Sequence, residues 1–386
     1  MPNTALPYIN VPMEIRLANI QDISSLLELY SMAYKGTYPD STFTKVDNLI
    51  ALIKSENRYL FVAEKESKII GSVLFMYDEE HLLSKAGGAV VDPEFRGNNI
   101  TRKILDYGVN YLRENTSGSD LTYITTRTVN LAAQHLTKKM GFVELGIFPN
   151  VHKTFEYETH ALGAMFFNDC FKKRYTSFDQ HPATYPLFKI AQKVCGLPEM
   201  NEAKSWLKKD YRGGVPVLEV VEAKEFLNHR FQNLMARREI DLGFLPFHKP
   251  NILITSPDQK VEVFIHENEA DKHCVFAGLK MDREVSLTDL FLTVCNILRD
   301  RGVRYIEVIS RANRLNFIDK LCQAKFLPSA YVPAFQLEGQ KRFDYVVFSR
   351  SFEVIDVKNI ELTGTNEEYL NAYVDLWEKT FLGRRR

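Results

Sequence analysis

Apolar and polar residues alternate through Met13–Leu17 as in a short strand, and Asn19 then opens a helical repeat through Ile23, Leu26, Leu27, Tyr30 and Ala33. Val46–Ile53 reads as a second short helix. Tyr59–Ala63 and Ile69–Met76 read as strands joined by the polar turn Glu64–Lys68. A strand over Gly87–Val91 runs into Asp92-Pro93, a stop signal. The spacing of Ile104, Leu105, Val109 and Leu112 predicts a helix over Thr101–Asn115, broken by Ser117-Gly118-Ser119. Leu121–Thr126 is a Thr- and Tyr-rich strand, Leu131–Met140 a helix closed by Gly141, and Phe142–Phe148 a further strand. Thr154–Gly214 is less regular: it holds two candidate amphipathic helices, Ala164–Lys173 and Pro186–Val194, or a strand at His160–Phe167 in place of the first.

The same order then recurs. Val217–Val221, Val261–Ile265, His273–Lys280 and Tyr305–Ser310 read as strands, and so do segments around Tyr331–Leu337 and Asp344–Ser349; Phe226–Met235, Leu287–Arg301 and Leu315–Cys322 read as helices. Aligned on the long helices, Asn110-Tyr111-Leu112-Arg113 meets Asn296-Ile297-Leu298-Arg299, and Tyr123-Ile124 meets Tyr305-Ile306. This points to a duplicated unit. The fold class expected is α/β (α+β): a mixed, mostly antiparallel central sheet flanked by helices, repeated in tandem.

Composition narrows the function classes. Forty-nine Lys and Arg balance forty-nine Asp and Glu, which gives no electrostatic reason to expect nucleic acid, and Arg384-Arg385-Arg386 reads as a solvated tail. The five cysteines form no CxxC pair and are odd in number, so neither a metal site nor a disulfide framework is expected. Met1–Pro12 lacks the features of a signal peptide, and no run approaches the ~18 apolar residues of a membrane span. The expectation is a cytoplasmic protein with neither membrane nor nucleic acid as partner; the sequence says nothing of oligomeric state.

One stretch carries chemistry. In Ala89-Val90-Val91-Asp92-Pro93-Glu94-Phe95-Arg96-Gly97-Asn98-Asn99-Ile100-Thr101 a strand ends, a tight loop turns and a helix begins. A helix start presents free N–H groups and the positive end of the helix dipole, a ready site for phosphate or pyrophosphate. Gly97 permits close backbone approach and Arg96 adds a cation.

The stretch resembles the acyl-CoA-binding motif of the GNAT (Gcn5-related N-acetyltransferase) superfamily, matching at Val91, Pro93, Phe95, Arg96, Gly97 and Ile100. It departs at Asn99, where glycine is usual, and at Thr101, where glycine or alanine is usual; asparagine tolerates positive φ better than most residues. A second signature is similar too: Asn130 opens a helix ending in Lys138-Lys139-Met140-Gly141-Phe142. Thr137 stands where the family often has a tyrosine that protonates the leaving thiolate. The resemblance covers roughly residues 13–150. It implies a GNAT fold and an N-acyltransferase, most simply an N-acetyltransferase, taking acetyl-CoA or another acyl-CoA as co-substrate and an amine-bearing small molecule, peptide or protein as acceptor. It implies cofactor contacts at Val90, Val91, Arg96, Gly97, Asn98, Asn99, Ile100, Thr101 and Asn130. The alternatives are a non-catalytic acyl-CoA-binding or regulatory protein, and a transferase served by an acyl carrier protein.

Direct attack by an amine needs a base. His152, Glu156, Glu158 and His160 follow the last clear strand of the first half and are the candidates. The helix alignment sets Asp282-Arg283-Glu284-Val285-Ser286-Leu287 against Arg96–Thr101, without glycine and with two carboxylates, so the second half is expected not to bind CoA. The domains expected are residues 1–153 for acyl-CoA, an aromatic-rich junction at 154–214, a degenerate GNAT-like domain at 215–353 and an extension at 354–386.

Overall fold

The computed structural model describes residues 13–34, 42–153, 156–206, 213–242, 244, 246–355 and 357–383. The Arg384–Arg386 tail and Thr154, Phe155 and residues 207–212 of the junction lie outside them. The chain falls into two compact units divided between Thr122 and Tyr123.

The first unit contains β1 (Glu14–Leu17), α1 (Ile23–Tyr34), α2 (Val46–Ile53), β2 (Arg58–Lys65), β3 (Lys68–Asp78), β4 (Leu83–Val91) and α3 (Ile100–Asn115). Its strands pair antiparallel in the order β1-β2-β3-β4. Asn19 and Asp22 close a capping box that starts the first helical turn. Period-two alternation then sorts the helices onto the two faces. Leu60, Val62 and Leu74 face a core with Ile23, Leu26, Leu29 and Tyr30 of α1 and Leu49 and Leu52 of α2. Phe61, Gly71 and Phe75 face α3: Phe61 packs edge-on against Tyr107 and Tyr111, a Cβ on Gly108 would lie 2.3 Å from the Phe75 ring, and one on Gly71 2.9 Å from Ile100. The two glycines let α3 lie this close to the sheet.

The second unit contains β5 (Leu121–Arg127, which spans the division), α4 (Ala132–Lys139), β6 (Val143–Lys153), β7 (Tyr157–Phe166), α5 (Tyr185–Cys195), β8 (Glu219–Val221), α6 (Lys224–Ala236), β9 (Ile252–Thr255), β10 (Val261–Asn268), β11 (His273–Met281), α7 (Leu287–Asp300), β12 (Tyr305–Arg311), α8 (Leu315–Gln323), β13 (Leu327–Glu338), β14 (Lys341–Ser351) and α9 (Thr365–Trp377). Its strand order is β5-β7-β6-β13-β14-β12-β11-β10-β9-β8. The pair β11–β12 is parallel; β6–β7, β13–β14, β12–β14 and β8 through β11 pair antiparallel. The run β2, β3, β4, α3, β5, α4, β6, β7 recurs as β9, β10, β11, α7, β12, α8, β13, β14, which is the expected mixed, mostly antiparallel arrangement with its repeat.

The seam between the repeats inside this unit is β6 beside β13. Gly146 pairs with Ala330, and a Cβ on Gly146 would lie 2.2 Å from that of Ala330. The junction is anchored by a buried ion pair, Arg174 Nη2 to Asp344 Oδ2 at 2.6 Å, whose carboxylate also accepts from Ala334 N and Tyr331 OH. Burying two charges costs several kcal/mol each, and such a site is tolerable because every acceptor oxygen is bonded. Phe188 packs edge-on against Tyr331, and Tyr175 against Phe343.

Two elements differ from expectation. Ala164–Lys173 is not a helix: Ala164 pairs with Val143 inside β7, Asn168 and Asp169 take positive φ, and only Cys170–Lys173 makes a 3-10 turn. Strand pairing with β6 overrides the local helical spacing there. The extension contains α9, whose Tyr369 and Tyr373 are buried and whose start is capped from β6, Glu144 Oε2 accepting from Thr365 N at 2.7 Å. No helix among the described residues is long and apolar enough to cross a membrane.

Candidate active site

In the first unit the site begins with a defect in β4. Ser72 lies opposite Val90 and Leu74 opposite Gly87, so Gly88 and Ala89 both stand against Val73. Such a bulge re-aims the backbone. Gly88 takes φ +58°, and a Cβ there would be 2.8 Å from the Phe43 ring. Tyr30 OH donates to Gly88 O at 2.8 Å. Val90 is buried and Val91 half-buried just beyond.

At the strand end Asp92 N donates to Ile70 O (2.9 Å), and Asp92 Oδ1 accepts from Glu94 N (3.0 Å). Lys68 Nζ lies 2.7 Å from Asp92 Oδ2. Burial alone would raise the Asp92 pKa, but the bonds from Lys68 and Glu94 outweigh it and hold the carboxyl below its usual range. The buried Asp92 anchors an exposed loop, Arg96–Asn99. Gly97 takes φ +83° with open space around its missing Cβ. Asn99 is left-handed (φ 56°) and gives α3 no side-chain cap. The first hydrogen bond of α3 is Lys103 N to Asn99 O, so the N–H groups of Ile100, Thr101 and Arg102 precede the intrahelical ladder. Arg96 makes no ion pair among the described residues. The arrangement can take an anion: amides ahead of the hydrogen-bond ladder at a dipole end, an exposed guanidinium with no ion pair among the described residues, and a glycine that lets a ligand reach the backbone.

The matching turn of the repeat starts the same way. Asp282 N donates to Lys260 O (2.8 Å), and Asp282 Oδ1 accepts from Glu284 N (3.3 Å). Asp282 therefore answers to Asp92 rather than to Arg96, which corrects the helix-based alignment. Only Val285 and Ser286 then precede α7, against the five residues Phe95–Asn99 before α3. Ser286 Oγ caps Asp289 N, and Ser286 N donates to Gly213 O at 3.1 Å. A Cβ on Gly213 would lie 1.9 Å from Glu284 O. Asp241 bonds both backbone groups of Leu279 on β11.

The remaining expected site residues lie in the second unit. Asn130 Oδ1 accepts from Ala132 N at the start of α4. The buried Thr137 turns its hydroxyl back onto Ala133 O and Gln134 O, both at 3.1 Å. Glu156 is exposed, and Glu158 is taken by Arg127 in a two-point pair. His152 and His160 come together, ring centroids 5.2 Å apart. His152 Nδ1 lies 2.7 Å from Asp271 Oδ1. His160 Nε2 is shut from solvent and has no hydrogen-bond partner among the described residues, and burial, helped by His152, lowers its pKa to about 3. Tyr30, Lys68 and Asp271 escaped the sequence reading, because each acts on a partner distant along the chain.

Comparison with known proteins bears on the first half. No curated protein matches the chain. Among solved structures, an N-acetyltransferase from Staphylococcus aureus Mu50 is 19% identical over 40% of this chain and 98% of its own, with a TM-score of 0.36. The ribosomal-protein-S18-alanine N-acetyltransferase of Escherichia coli is 17% identical over 40% and 94%, TM-score 0.35. The protein yncA of Salmonella typhimurium, solved with its cofactor acetyl-CoA, is 18% identical over 41% and 95%, TM-score 0.36. The family model described as acetyltransferase (GNAT) family matches residues 23–142, about a third of the chain, and takes in the bulge, the Asp92 turn, the loop and α3. Within those residues the chain is similar to the GNAT acetyltransferase family.

Proposed function

We propose that this protein is an acyl-CoA-dependent N-acyltransferase, most simply an N-acetyltransferase, with its donor site in the first half. The observation that carries the reading is the uncapped start of α3 behind the exposed Arg96–Asn99 loop. In this reading Arg96 and the N–H groups of Gly97, Asn98, Asn99, Ile100 and Thr101 hold the pyrophosphate. Backbone N–H groups at the bulge before Val90 and Val91 polarise the acyl carbonyl. The amine attacks the carbonyl carbon, the C–S bond breaks, the thiolate takes a proton from solvent, and the amine proton passes to a base. His152, oriented by Asp271, fits the role better than His160, which stays neutral and weakly basic down to about pH 3. Residues 1–153 form the acyl-CoA domain, 154–214 the junction, 215–353 a GNAT-like domain without a donor site, and 354–386 the extension.

Calorimetry with acetyl-CoA tests the donor site: native protein binds saturably, and Gly97→Val, whose side chain would stand between backbone and ligand, loses at least about tenfold in affinity. Equal affinities would remove the assignment. A free-thiol assay over a panel of amines tests turnover. The bonded hydroxyl of Thr137 favours one second reading, a binding module that holds acyl-CoA without transfer; saturable binding with no thiol released across the panel would select it.

A further inference from the structure

The β4 bulge does not hold its shape alone. Tyr30, on α1, is buried, and its ring stacks on Phe43 with centroids 4.4 Å apart and planes 17° from parallel. Phe43 in turn presses on the one side of Gly88 where a side chain would stand. The Tyr30 hydroxyl reaches both Gly88 O (2.8 Å) and Ser72 Oγ (3.1 Å). A carbonyl can only accept, so the tyrosine proton goes to Gly88 and the serine donates to the tyrosine oxygen. Ser72 thereby fixes which way the Tyr30 proton points.

The peptide joining Gly88 to Ala89 is planar and trans, as are all peptide bonds among the described residues. Its C=O and N–H must therefore point in opposite directions. Holding the carbonyl toward α1 aims the Ala89 N–H away from α1. We infer that Tyr30 is a positioning residue: acting through Gly88 O, it aims the Ala89 amide at the acyl carbonyl of the bound donor. This rests on the proposed donor site at the bulge. It also makes α1 and Phe43 part of the machinery that activates the thioester.

The carbonyl stretch of acetyl-CoA labelled with carbon-13 at the thioester, measured by difference infrared spectroscopy, reads the contact without any acceptor. Bound to native protein the band should move to lower frequency than in free acetyl-CoA. Tyr30→Phe keeps the ring stack and removes only the hydroxyl; it should bind acetyl-CoA within about threefold of native while the downshift is largely lost, since a misaimed donor forfeits most of its bond. A native-like downshift in Tyr30→Phe would overturn the inference and leave the donor site standing. Absence of acetyl-CoA binding to native protein would remove the donor site and the inference together. A measurement on native protein alone guards against a misfolded variant: the Ala89 amide proton should move downfield on addition of acetyl-CoA and not on addition of CoA. Equal responses to the two ligands would also overturn the inference.

Discussion

The starts of α3 and α7 share one beginning and reach opposite ends. Both strands finish on an aspartate whose N–H bonds back to the neighbouring strand and whose carboxylate catches the amide two residues on. After that turn the first half runs through Phe95 and the exposed Arg96–Asn99 loop and leaves the helix uncapped. The repeat goes through Val285 and Ser286 only, caps itself with the serine hydroxyl and is bridged by Gly213. An anion site at a helix start is a surplus of unsatisfied donors. The repeat spends one of those donors, Asp289 N, on its own Ser286 hydroxyl and ties Ser286 N to Gly213 O.

The contrast can be broken by making the first turn like the second. Deleting Arg96-Gly97-Asn98 shortens the loop to the length found in the repeat and should reduce acetyl-CoA affinity by about a hundredfold or more, the worth of a few charge-assisted hydrogen bonds. Calorimetry decides, and affinity within threefold of native would show that the loop is not the donor site. In the repeat, Gly213→Val forces a side chain onto Glu284 O and should lower stability by about 1–3 kcal/mol, read from urea denaturation, with acetyl-CoA affinity unchanged. A parallel fall in affinity would place binding in the wrong half. Ser286→Ala removes the cap of α7 and should cost about 1 kcal/mol. The smallest change sharpens the same point from the other side: Asn99→Gly relieves a left-handed residue that caps nothing and should raise stability by roughly 0.5 kcal/mol, seen as a small upward shift in melting temperature.

Periodicity found the strands and helices wherever a run buries one face of its own, as in Ile104, Leu105, Val109 and Leu112 of α3. It failed where the deciding partner is remote. The start of α9 carries no local cap that could announce it, because Glu144 of β6 supplies one. Ala161 and Ala164 fit a helix or a strand equally well until β6 chooses. Ile252–Thr255 is too short to declare itself without its ladder on β10. The Arg96-Gly97 loop was legible because its chemistry lies in consecutive residues, and the tolerance of asparagine for positive φ anticipates Asn99. Tyr30 was not: in a helical repeat it is one more core residue, and only the fold brings its hydroxyl to Gly88. The pairing of His152 with Asp271 likewise joins residues from different repeats.

The contact of Gly146 with Ala330 has a consequence for how such a chain survives in solution. A half-protein ending at β6 or beginning so that β13 is outermost would display an unpaired row of backbone donors and acceptors, the template on which strands of other molecules add. Placing the two rows against each other hides both, and only residues as small as glycine and alanine let the backbones come near enough to do it. Substituting a bulky residue at Gly146 would therefore show itself first as self-association at high protein concentration, before any loss of folded signal.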